Sequence, residues 1–423
     1  MREAESGRKL RHRLAERIKV MRIQFDRSTP QGTLTAPPSK SMAHRLLICG
    51  GLAKGVSTVR GIAPSEDVMA TLDCLQALGA EYTYDGSTVV IHGMEEYGAI
   101  GQELKCRESG STLRFFLPLC MLDESDKYLL GSETLLKRPL DVYQRICEQQ
   151  HIVFENNGER IHVRGKLSGG DYELPGNISS QFITGLLFAL PLCDGDSTIH
   201  IIPPIESRSY INLTIDALKQ FGIHVAWMDE KTLYLKGNQS YLPCEAEVEG
   251  DYSNAAFFAA MDILGGQIKI DGLKCDSLQG DKVYQELFPQ LSQRAAQIDI
   301  SDCPDLGPVL MAVAAAKFGG VFTGTKRLKI KESDRGHAMA EELAKFGVSV
   351  KVEEDTITVD PIEFHKPECT LLGHNDHRIV MSLCVLLMLT GGAIDGAEAV
   401  RKSMPDFFDR LRELGVKMDY ETI

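Results

Sequence analysis

The chain has 423 residues, a formal net charge of −13, and 43% hydrophobic and 25% charged residues. Its length predicts two domains of about 200 residues each. The acidic balance argues against general attraction to nucleic acid or to an anionic membrane, so an anionic substrate needs local clusters of Lys and Arg. The most apolar segment, Phe182 to Leu192, is too short to span a bilayer.

The first twenty residues mix Arg and Lys with Glu3, Glu5 and Glu16. They lack the apolar core of a secretory signal and are too acidic for a transit peptide. We therefore expect residues 1–20 to be an N-terminal extension, with Met21 opening the fold. The eleven cysteines form no Cys-x-x-Cys pair and no metal-ligand spacing, which favours a reduced cytoplasm.

The stretch from Pro37 to Arg45 (PPSKSMAHR) predicts a helix start that can bind an anion. Ser39 is a good N-cap, and apolar residues follow it at helical spacing. Free N–H groups, the hydroxyl of Ser41, the ammonium of Lys40 and the guanidinium of Arg45 would then face one point. Taken alone, an ordinary capped helix with solvated charges explains the stretch equally well.

One sequence pattern recurs along the chain: a helix ending in Leu-Gly or Phe-Gly, a strand, a polar turn and a second strand. The glycine suits the left-handed end of a helix, and the alternation after it is typical of strands. The period is about 71 residues, longer than that of solenoid repeats. The pattern predicts six α+β modules, the weakest between Gly250 and Ile300, where Ala255 to Leu264 is the predicted helix. The copies begin at Leu75, Leu218, Leu343 and Leu411, with a diverged copy from Ile146 to Gly165.

Three polar clusters in the first half also lie at predicted helix starts. Glu108 to Arg114 (ESGSTLR) opens a helix predicted from Leu113 to Leu122, and Lys137-Arg138-Pro139 precedes one predicted from Leu140. Asn177 to Gln181 (NISSQ) precedes one predicted from Phe182, and Ser207 with Tyr210 follows in the next module. Each cluster alone is more often a cap or a solvated pair than a site.

The second half supplies ionisable groups at equivalent places: Asp305, Arg327 to Arg335 (RLKIKESDR), Asp376-His377-Arg378, and Lys402 before Pro405-Asp406. Surface ion pairing is the ordinary explanation for such alternating charges. However, chance surface charge would not follow the repeat. Many cationic helix starts with few carboxylates favour a site for two small, doubly charged anions.

Taken together and in order, these motifs closely resemble the 5-enolpyruvylshikimate-3-phosphate synthase family of enolpyruvyl transferases. The resemblance implies an α/β fold, a two-domain inside-out α/β barrel in which each domain has three βαβαββ repeats and the active site lies in the interdomain cleft. It implies that residues 21–37 and 251–423 form one domain and that residues 38–250 form an inserted domain.

The implied reaction transfers the enolpyruvyl group of phosphoenolpyruvate to the 5-hydroxyl of shikimate 3-phosphate and releases phosphate through a tetrahedral intermediate, a step of the shikimate pathway to chorismate and the aromatic amino acids. No metal or organic cofactor is implied, and glyphosate is the family's inhibitor. We expect a cytoplasmic monomer whose partners are these two small molecules, with no nucleic acid and no membrane.

The resemblance also assigns roles to residues. Asp305 is similar to the family's base for the 5-hydroxyl and Glu332 to its methylene proton relay, while Lys40 aids the leaving phosphate. The implied phosphoenolpyruvate ligands are Lys40, Gly110, Arg138, Gln181, Arg335, Arg378 and Lys402. The implied shikimate 3-phosphate ligands are Ser41, Arg45, Ser179, Ser180, Gln181, Ser207, Tyr210, Asp305 and Lys331.

Two positions depart from the family's pattern, in which Asn is usual at both. A carboxylate at Glu108 would repel phosphoenolpyruvate unless it pairs with a cation such as Arg107 or Arg138, so weaker binding or an altered response to glyphosate is expected. Arg327 stands where an Asn ligand is commoner, and it is left out of the expected ligand set.

Two other functions fit part of this pattern. The related transferase that acts on UDP-N-acetylglucosamine shares the fold, but it needs a loop cysteine and a Lys-Asn pair where this chain has Ser39-Lys40-Ser41. A degenerate copy could bind phosphorylated ligands as a sensor, although every candidate proton-transfer residue is present.

Overall fold

The structure, a computed structural model, describes residues 20–97 and 103–422. The expected N-terminal extension therefore lies outside the described residues, except for Val20. Met21 begins the first strand, as predicted. None of the helices in these two ranges is long and apolar enough to cross a membrane.

The first elements run from the N-terminal strands to a short strand near residue 247. They are β1 (Met21–Phe25), β2 (Gln31–Thr35), α1 (Lys40–Leu52), β3 (Val56–Arg60), α2 (Glu66–Ala77), β4 (Glu81–Tyr84), β5 (Thr88–His92), β6 (Glu103–Lys105), α3 (Gly110–Leu119), β7 (Lys127–Leu130), α4 (Glu133–Leu136), α5 (Asp141–Gln149), β8 (Val153–Asn156), β9 (Arg160–Arg164), β10 (Asp171–Pro175), α6 (Ser180–Ala189), β11 (Ser197–Ile202), α7 (Arg208–Gln220), β12 (Val225–Trp227), β13 (Thr232–Leu235) and β14 (Glu245–Glu247).

The same alternation continues to the C-terminus. The elements are α8 (Tyr252–Ile263), β15 (Gln267–Asp271), α9 (Tyr284–Gln293), β16 (Ala296–Asp299), α10 (Gly307–Ala316), β17 (Gly320–Thr323), α11 (Arg335–Ala344), β18 (Val350–Val352), β19 (Thr356–Val359), β20 (Leu371–Leu372), α12 (His377–Thr390), β21 (Gly392–Asp395), α13 (Phe407–Glu413) and β22 (Met418–Thr422). Short 3₁₀ segments lie at Leu190–Leu192, Gly280–Val283, Pro304–Leu306, Lys326–Ile330 and Ala397–Lys402.

The described strands form six sheets, which agrees with the six predicted modules. Five sheets have four strands, and in each a parallel pair is extended by an antiparallel hairpin or its equivalent, as in the order β10-β11-β13-β12. The sixth sheet contains only β2 and β15. After α9 the chain enters β16, which pairs with β17 in the next sheet, so this module has no hairpin of its own. Its sequence pattern was also the weakest.

Each module contributes two kinds of helix. The first helix of a module is buried on nearly all sides, as in α1, where every residue from Met42 to Leu52 is buried. The second is amphipathic, as in α5, which buries only Val142, Tyr143, Ile146 and Cys147. Strands such as β5 alternate between buried and exposed side chains. The buried helices therefore form the interior and the sheets form the outside, which is the predicted inside-out α/β arrangement.

The described residues form two hydrophobic cores. One lies among the elements from α1 to β14, which we call the central domain. The other is built by β1 and β2 together with the elements from α8 to β22, which we call the terminal domain. The chain passes between them twice, where Pro38 and Gly250 form an antiparallel bridge. The N–H of Asp251 also donates to the carbonyl of Pro37 at 2.7 Å, so the two crossing segments are paired.

Some predicted helix boundaries differ from the structure. The helices expected from Leu113, Phe182 and Ala255 begin earlier, and the first of them ends at Leu119 rather than Leu122. The reason is local, because a polar side chain caps each helix before its apolar run starts. The helix expected from Leu140 begins one residue later. The three capping side chains are Ser109, Ser179 and Asp251.

Candidate active site

One cavity lies where the helix starts of both domains face each other. Its walls contain all of the site residues predicted from the sequence except Lys402. Lys40, Gly110 and Ser180 stand at the starts of the three buried helices of the central domain. Arg335 opens α11, and Asp305 belongs to the 3₁₀ turn that leads into α10. The repeated architecture therefore brings together clusters that lie far apart in the sequence.

Lys40 is held at the junction of the two domains. The hydroxyl of Ser39 caps α1 by accepting from the N–H of Met42 at 3.4 Å, as predicted. The N–H of Lys40 donates to Asp251 at 3.0 Å. Its ammonium pairs with Asp67 at 2.9 Å, and both side chains are largely buried. Asp67 of the central domain thus holds the ammonium of Lys40, and Asp251 of the terminal domain holds its backbone N–H.

Asp305 is surrounded by three cations. Its carboxylate accepts from Lys331 at 3.1 Å, from Arg335 at 2.8 Å and from Arg378 at 3.1 Å. Burial alone would raise the pKa of Asp305, but the charges of Arg378, Lys331 and Arg335 hold this pKa well below its ordinary value. Asp305 is therefore a carboxylate.

Glu332 and Arg335 form the second charged centre. The guanidinium of Arg335 is fully buried and lies 2.5 Å from Glu332 and 2.8 Å from Asp376. Burial disfavours the charge of Arg335, yet Asp376, Glu332 and Asp305 raise its pKa. Burial would likewise raise the pKa of Glu332, but Arg335 and Arg138 hold this pKa well below its ordinary value. Both groups are thus charged, and each is stabilised by the other.

Gly110 lets two guanidinium groups approach the backbone. A Cβ atom at this position would lie 2.7 Å from Nη1 of Arg138 and 3.2 Å from Nη1 of Arg114. Nη1 of Arg114 donates to the side-chain oxygen of Gln181 at 2.9 Å, and the amide nitrogen of Gln181 donates to Ser111 at 2.9 Å. The side chain of Gln181 is therefore fixed from both ends beside Arg138.

Arg45 and Tyr210 line the part of the cavity nearest α7. The guanidinium of Arg45 donates to the hydroxyl of Thr214 at 2.9 Å and to the carbonyl of Ser41 at 2.7 Å. Burial lowers the pKa of Arg45 to about 10, so it keeps its charge at neutral pH. The hydroxyl of Tyr210 reaches Asp281 at 3.2 Å, which ties the central domain to the terminal domain.

Lys402 differs from the expectation. It does not line the cavity, because its ammonium forms an ion pair with Glu108 and donates to the carbonyl of Asn375 at 2.6 Å. The side-chain amide of Asn375 also donates to Glu108, at 3.0 Å. Glu108 does pair with a cation, but with neither of the two that were suggested, and Arg107 pairs instead with Asp73 at 2.6 Å. The pair links the central and terminal domains.

Among the residues that the structure describes, one grouping of His and carboxylate side chains could hold a metal ion. It consists of Glu341, Glu342 and His374, and none of them lines the cavity. The buried carboxylate of Glu342 already accepts from Lys345 and from His374, both at 2.8 Å. Glu342, Lys345 and His374 thus form an ion-pair network within the terminal domain.

Comparison with known proteins shows the family of the chain. Residues 26–411 match the family model of EPSP synthase (3-phosphoshikimate 1-carboxyvinyltransferase). The chain belongs to the EPSP synthase family.

Similar proteins support this membership over nearly the whole chain. A 3-phosphoshikimate 1-carboxyvinyltransferase of Clostridium botulinum (strain Alaska E43) is 37% identical, over 91% of this chain and 95% of the relative. That of Clostridium beijerinckii is 38% identical, over 92% and 96%. A solved EPSP synthase of Acinetobacter baumannii has the same fold, with a TM-score of 0.79, 22% identity, and coverage of 96% and 100%. The predicted family and fold class are confirmed, and the protein is an enzyme of the transferase class.

Several residues of this cavity carry too little signal in the sequence to be predicted as site residues. Arg114 ends the motif that begins at Glu108, and His377 lies between Asp376 and Arg378. In each motif only a neighbouring residue, Gly110 or Arg378, was an expected ligand. His377 is buried with no hydrogen-bond partner for either ring nitrogen among the described residues, and burial holds its pKa well below its ordinary value. Asp67, which pairs with Lys40, lies in the first turn of α2, where an acidic residue is ordinary and carries no signal of a site.

Proposed function

We propose that the protein transfers the carboxyvinyl group of phosphoenolpyruvate to the 5-hydroxyl of shikimate 3-phosphate and releases phosphate. The observation that carries this proposal is the cavity in which Asp305 and Glu332 lie among Lys40, Arg138 and Arg335. A site with proton-transfer groups and fixed cations suits the addition of a hydroxyl to a phosphorylated enol. Family membership supplies the identity of both substrates.

Asp305 is the proposed base for the acceptor hydroxyl. Its three cationic partners make Asp305 a weak base. Phosphoenolpyruvate brings its own carboxylate and phosphate to Arg335 and Arg378, which weakens their hold on Asp305. Binding of the donor thereby raises the basicity of the group that must accept the hydroxyl proton.

The remaining steps use Glu332 and Lys40. Phosphoenolpyruvate also weakens the hold of Arg335 and Arg138 on Glu332, so that Glu332 can take up a proton from solvent. As the acceptor oxygen bonds to the central carbon of the enol and its proton passes to Asp305, Glu332 gives its proton to the methylene carbon. In the second step Glu332 takes a proton back from the methyl group as the carbon–oxygen bond to phosphate breaks, and the proton held by Asp305 leaves with the phosphate. Lys40 stabilises the charge of the departing phosphate. The expected ligands of each substrate keep the roles given above. Lys402 can bind phosphoenolpyruvate only after its ion pair with Glu108 breaks.

We propose domain limits of residues 21–37 with 251–423, and of residues 38–250. Support comes from the two cores, since all buried apolar residues of one lie between Met42 and Val248, and those of the other between Ile23 and Leu34 or between Tyr252 and Val416.

We also propose a cytoplasmic monomer. Each of the eleven cysteines is free, which suits a reducing compartment, and light scattering after size exclusion tests the monomer.

The function is tested by incubating the protein with phosphoenolpyruvate and either shikimate 3-phosphate or UDP-N-acetylglucosamine, while phosphate release is followed. We expect release only with shikimate 3-phosphate. Release only with the nucleotide sugar would establish the rival transferase. Binding of shikimate 3-phosphate without any phosphate release would establish a sensor and contradict the proposed function.

A further inference from the structure

Asp281 is a buried carboxylate that lies behind the active site. It belongs to the 3₁₀ segment Gly280–Val283 of the terminal domain and is only 3% exposed. Asp281 does not line the active-site cavity but a smaller cavity next to it. Ser41 and Tyr210 line both cavities, so they stand between Asp281 and the space for the substrates. Any effect of Asp281 on the reaction must therefore pass through other residues.

The hydroxyl of Tyr210 connects Asp281 with the proposed base. It lies 3.2 Å from Oδ2 of Asp281 and 3.5 Å from Oδ2 of Asp305. A phenol has a single proton to donate, so a hydrogen bond to one carboxylate is lost to the other. The shorter contact is the one with Asp281. A charged Asp281 thus takes the donor of Tyr210 and leaves Asp305 with one donor fewer.

The charge of Asp281 acts on Asp305 as well. Two buried carboxylates on either side of one hydroxyl repel each other, and each charge makes the other group more basic. Burial, followed by the charge of Asp305, raises the pKa of Asp281 from its ordinary value of 3.8 to about 6, against the opposing charge of Arg378. Asp281 is therefore mostly a carboxylate at neutral pH and mostly protonated below about pH 6.

Five elements place polar or ionisable groups around Asp281. Besides Asp305 and Arg378, these groups are Tyr210 of α7, Asp251 and Ser253 at the start of α8, and Cys303 before α10. The fifth element, α9, follows Asp281 directly and begins with the buried Tyr284, whose pKa burial raises. Arg378 is the cation of this set, and it is shared with Asp305.

The charge of Asp281 does not serve the fold. Because its pKa is higher in the folded protein than the ordinary value, the contribution of Asp281 to stability falls as the pH rises from about 4 to about 6. Its charged form thus opposes folding at neutral pH. A buried charge that costs stability beside a reacting group is typical of a residue kept for function.

We propose that Asp281 is a positioning residue for the proposed base: as a carboxylate it holds the hydroxyl of Tyr210 and keeps Asp305 basic enough to take the proton of the acceptor hydroxyl. This inference rests on the proposed function. Asp281 takes up no proton from the substrate in this role. When Asp281 is protonated, its charge is lost, the hydroxyl of Tyr210 can turn to Asp305, and Asp305 becomes a weaker base.

The test compares Asp281→Asn with Asp276→Asn, which removes the same charge from an exposed position shortly before it. The rate of a single turnover is measured from pH 8 to pH 5.5, with enzyme in excess over shikimate 3-phosphate and with saturating phosphoenolpyruvate. At pH 7.5 we expect Asp281→Asn to be about tenfold to a hundredfold slower than the unmodified enzyme, within the range of general base catalysis. The dissociation constant of shikimate 3-phosphate, measured by calorimetry, should change less than about threefold. Asp276→Asn should change neither value.

The pH dependence separates this role from a structural one. The ratio of the two rates, unmodified enzyme over Asp281→Asn, should fall at least about threefold between pH 7.5 and pH 5.5, because protonation makes Asp281 resemble Asn. Titration of the substrates affects both proteins and cancels in this ratio. In a Tyr210→Phe background, the same substitution should slow the reaction less than it does in the unmodified enzyme, because part of its effect passes through that hydroxyl.

Four outcomes would overturn the inference. A rate ratio near one at every pH would mean that Asp281 does not influence the reaction, and a large ratio that is independent of pH would mean that it only supports the structure. Weaker binding of shikimate 3-phosphate with an unchanged rate would make Asp281 a support for a ligand alone. An equal loss with and without the hydroxyl of Tyr210 would exclude the connection through it. If Asp281→Asn does not fold, Asp281→Ser takes its place and is judged by the same ratio. The proposed function fails separately, if the unmodified enzyme releases no phosphate.

Discussion

At the scale of single residues, the cations of the site already have carboxylate partners within the protein. Asp67, Asp305 and Glu332 each neutralise a cation that the proposed reaction needs for a substrate. Substrate binding is therefore an exchange of ion partners rather than the filling of a bare cationic pocket. This exchange limits the affinity that each cation contributes, because the existing partner must first be displaced.

Lys40 is the residue whose loss should affect turnover most. We expect Lys40→Met to lower kcat about 10²- to 10³-fold, since the departing phosphate would lose a fixed positive charge. Circular dichroism should show an unchanged fold, because the cap at Ser39 and the contact of the residue 40 N–H with Asp251 do not involve the side chain. Lys40→Arg is the matched variant and should keep more activity. Equal turnover in Lys40→Met and the unmodified enzyme would contradict the assignment.

Glu108 should weaken phosphoenolpyruvate binding, because it holds Lys402 in an ion pair. Replacing it with Asn releases Lys402 for the substrate, so the Michaelis constant for phosphoenolpyruvate should fall about twofold to fivefold, the range of a partly exposed ion pair. Steady-state kinetics measure the change. Glu133→Gln is the control, because it removes the exposed pair with Lys137 on the same domain and should have no effect. A Michaelis constant that stays the same in Glu108→Asn would rule out this competition.

At the scale of secondary-structure elements, many side chains of the site lie at the starts of helices. The sequence predicted these starts well where a cap lies beside an apolar run, because capping depends on neighbouring residues; Ser39 is an example. It also predicted the hairpins, since the glycine at the helix end and the alternation after it are local signals. It could not predict that Lys402 pairs with Glu108, because that contact depends on how two segments far apart in the sequence are placed by two separate cores.

Burial of α1 has a consequence for pH dependence. His44 lies inside this helix, fully buried, with Nδ1 2.7 Å from the hydroxyl of Thr71. Burial, followed by the charges of Lys40 and Arg45, holds its pKa well below the ordinary value of 6.5. Below about pH 6.5 the unfolded state therefore binds a proton that the folded state does not, and the free energy of unfolding falls as the pH falls.

The variant His44→Asn should remove this contribution while keeping a polar group near Thr71. Between pH 6.5 and 5 the stability of the unmodified protein should decrease more steeply than that of the variant, by up to about 1.4 kcal/mol per pH unit. Urea unfolding at several pH values measures the slopes. His92→Asn, at an exposed position in the same domain, should leave the slope unchanged. Identical slopes for His44→Asn and the unmodified protein would show that His44 is protonated in the fold.

At the scale of the whole molecule, the two domains meet through polar and charged side chains, and each has its own hydrophobic core. Lys402 with Glu108, Arg327 with Ser207, and Tyr210 with Asp281 all cross the boundary. The family resemblance implied a site between two domains, and the repeats in the sequence implied six modules. The contacts across the boundary were beyond prediction, because they depend on the relative placement of modules and not on any local pattern.

Ligand binding at this boundary should be visible through the single tryptophan of the chain. Trp227 donates to Asn212 at 3.0 Å, and the guanidinium of Arg208, next to Ser207, lies 4.1 Å from its ring centre. We expect both substrates together to change the tryptophan emission, because they reposition the start of α7 against β12. Trp227→Phe should abolish the signal. Calorimetric binding of both ligands with no change in emission would contradict this coupling.

The placement of β1 bears on how the chain folds while it is being synthesised. This strand lies between β21 and β22, so its partners come from the opposite end of the chain. Among the described strands, those of the central domain have all left the ribosome once β14 has emerged, whereas β2 is synthesised long before its partner β15, and β1 long before β21 and β22. Arg22 and Gln24 alternate with Ile23 and Phe25 in β1, which keeps this unpaired strand partly polar. An early strand of the chain can thus reach its final position only after β22 has been made.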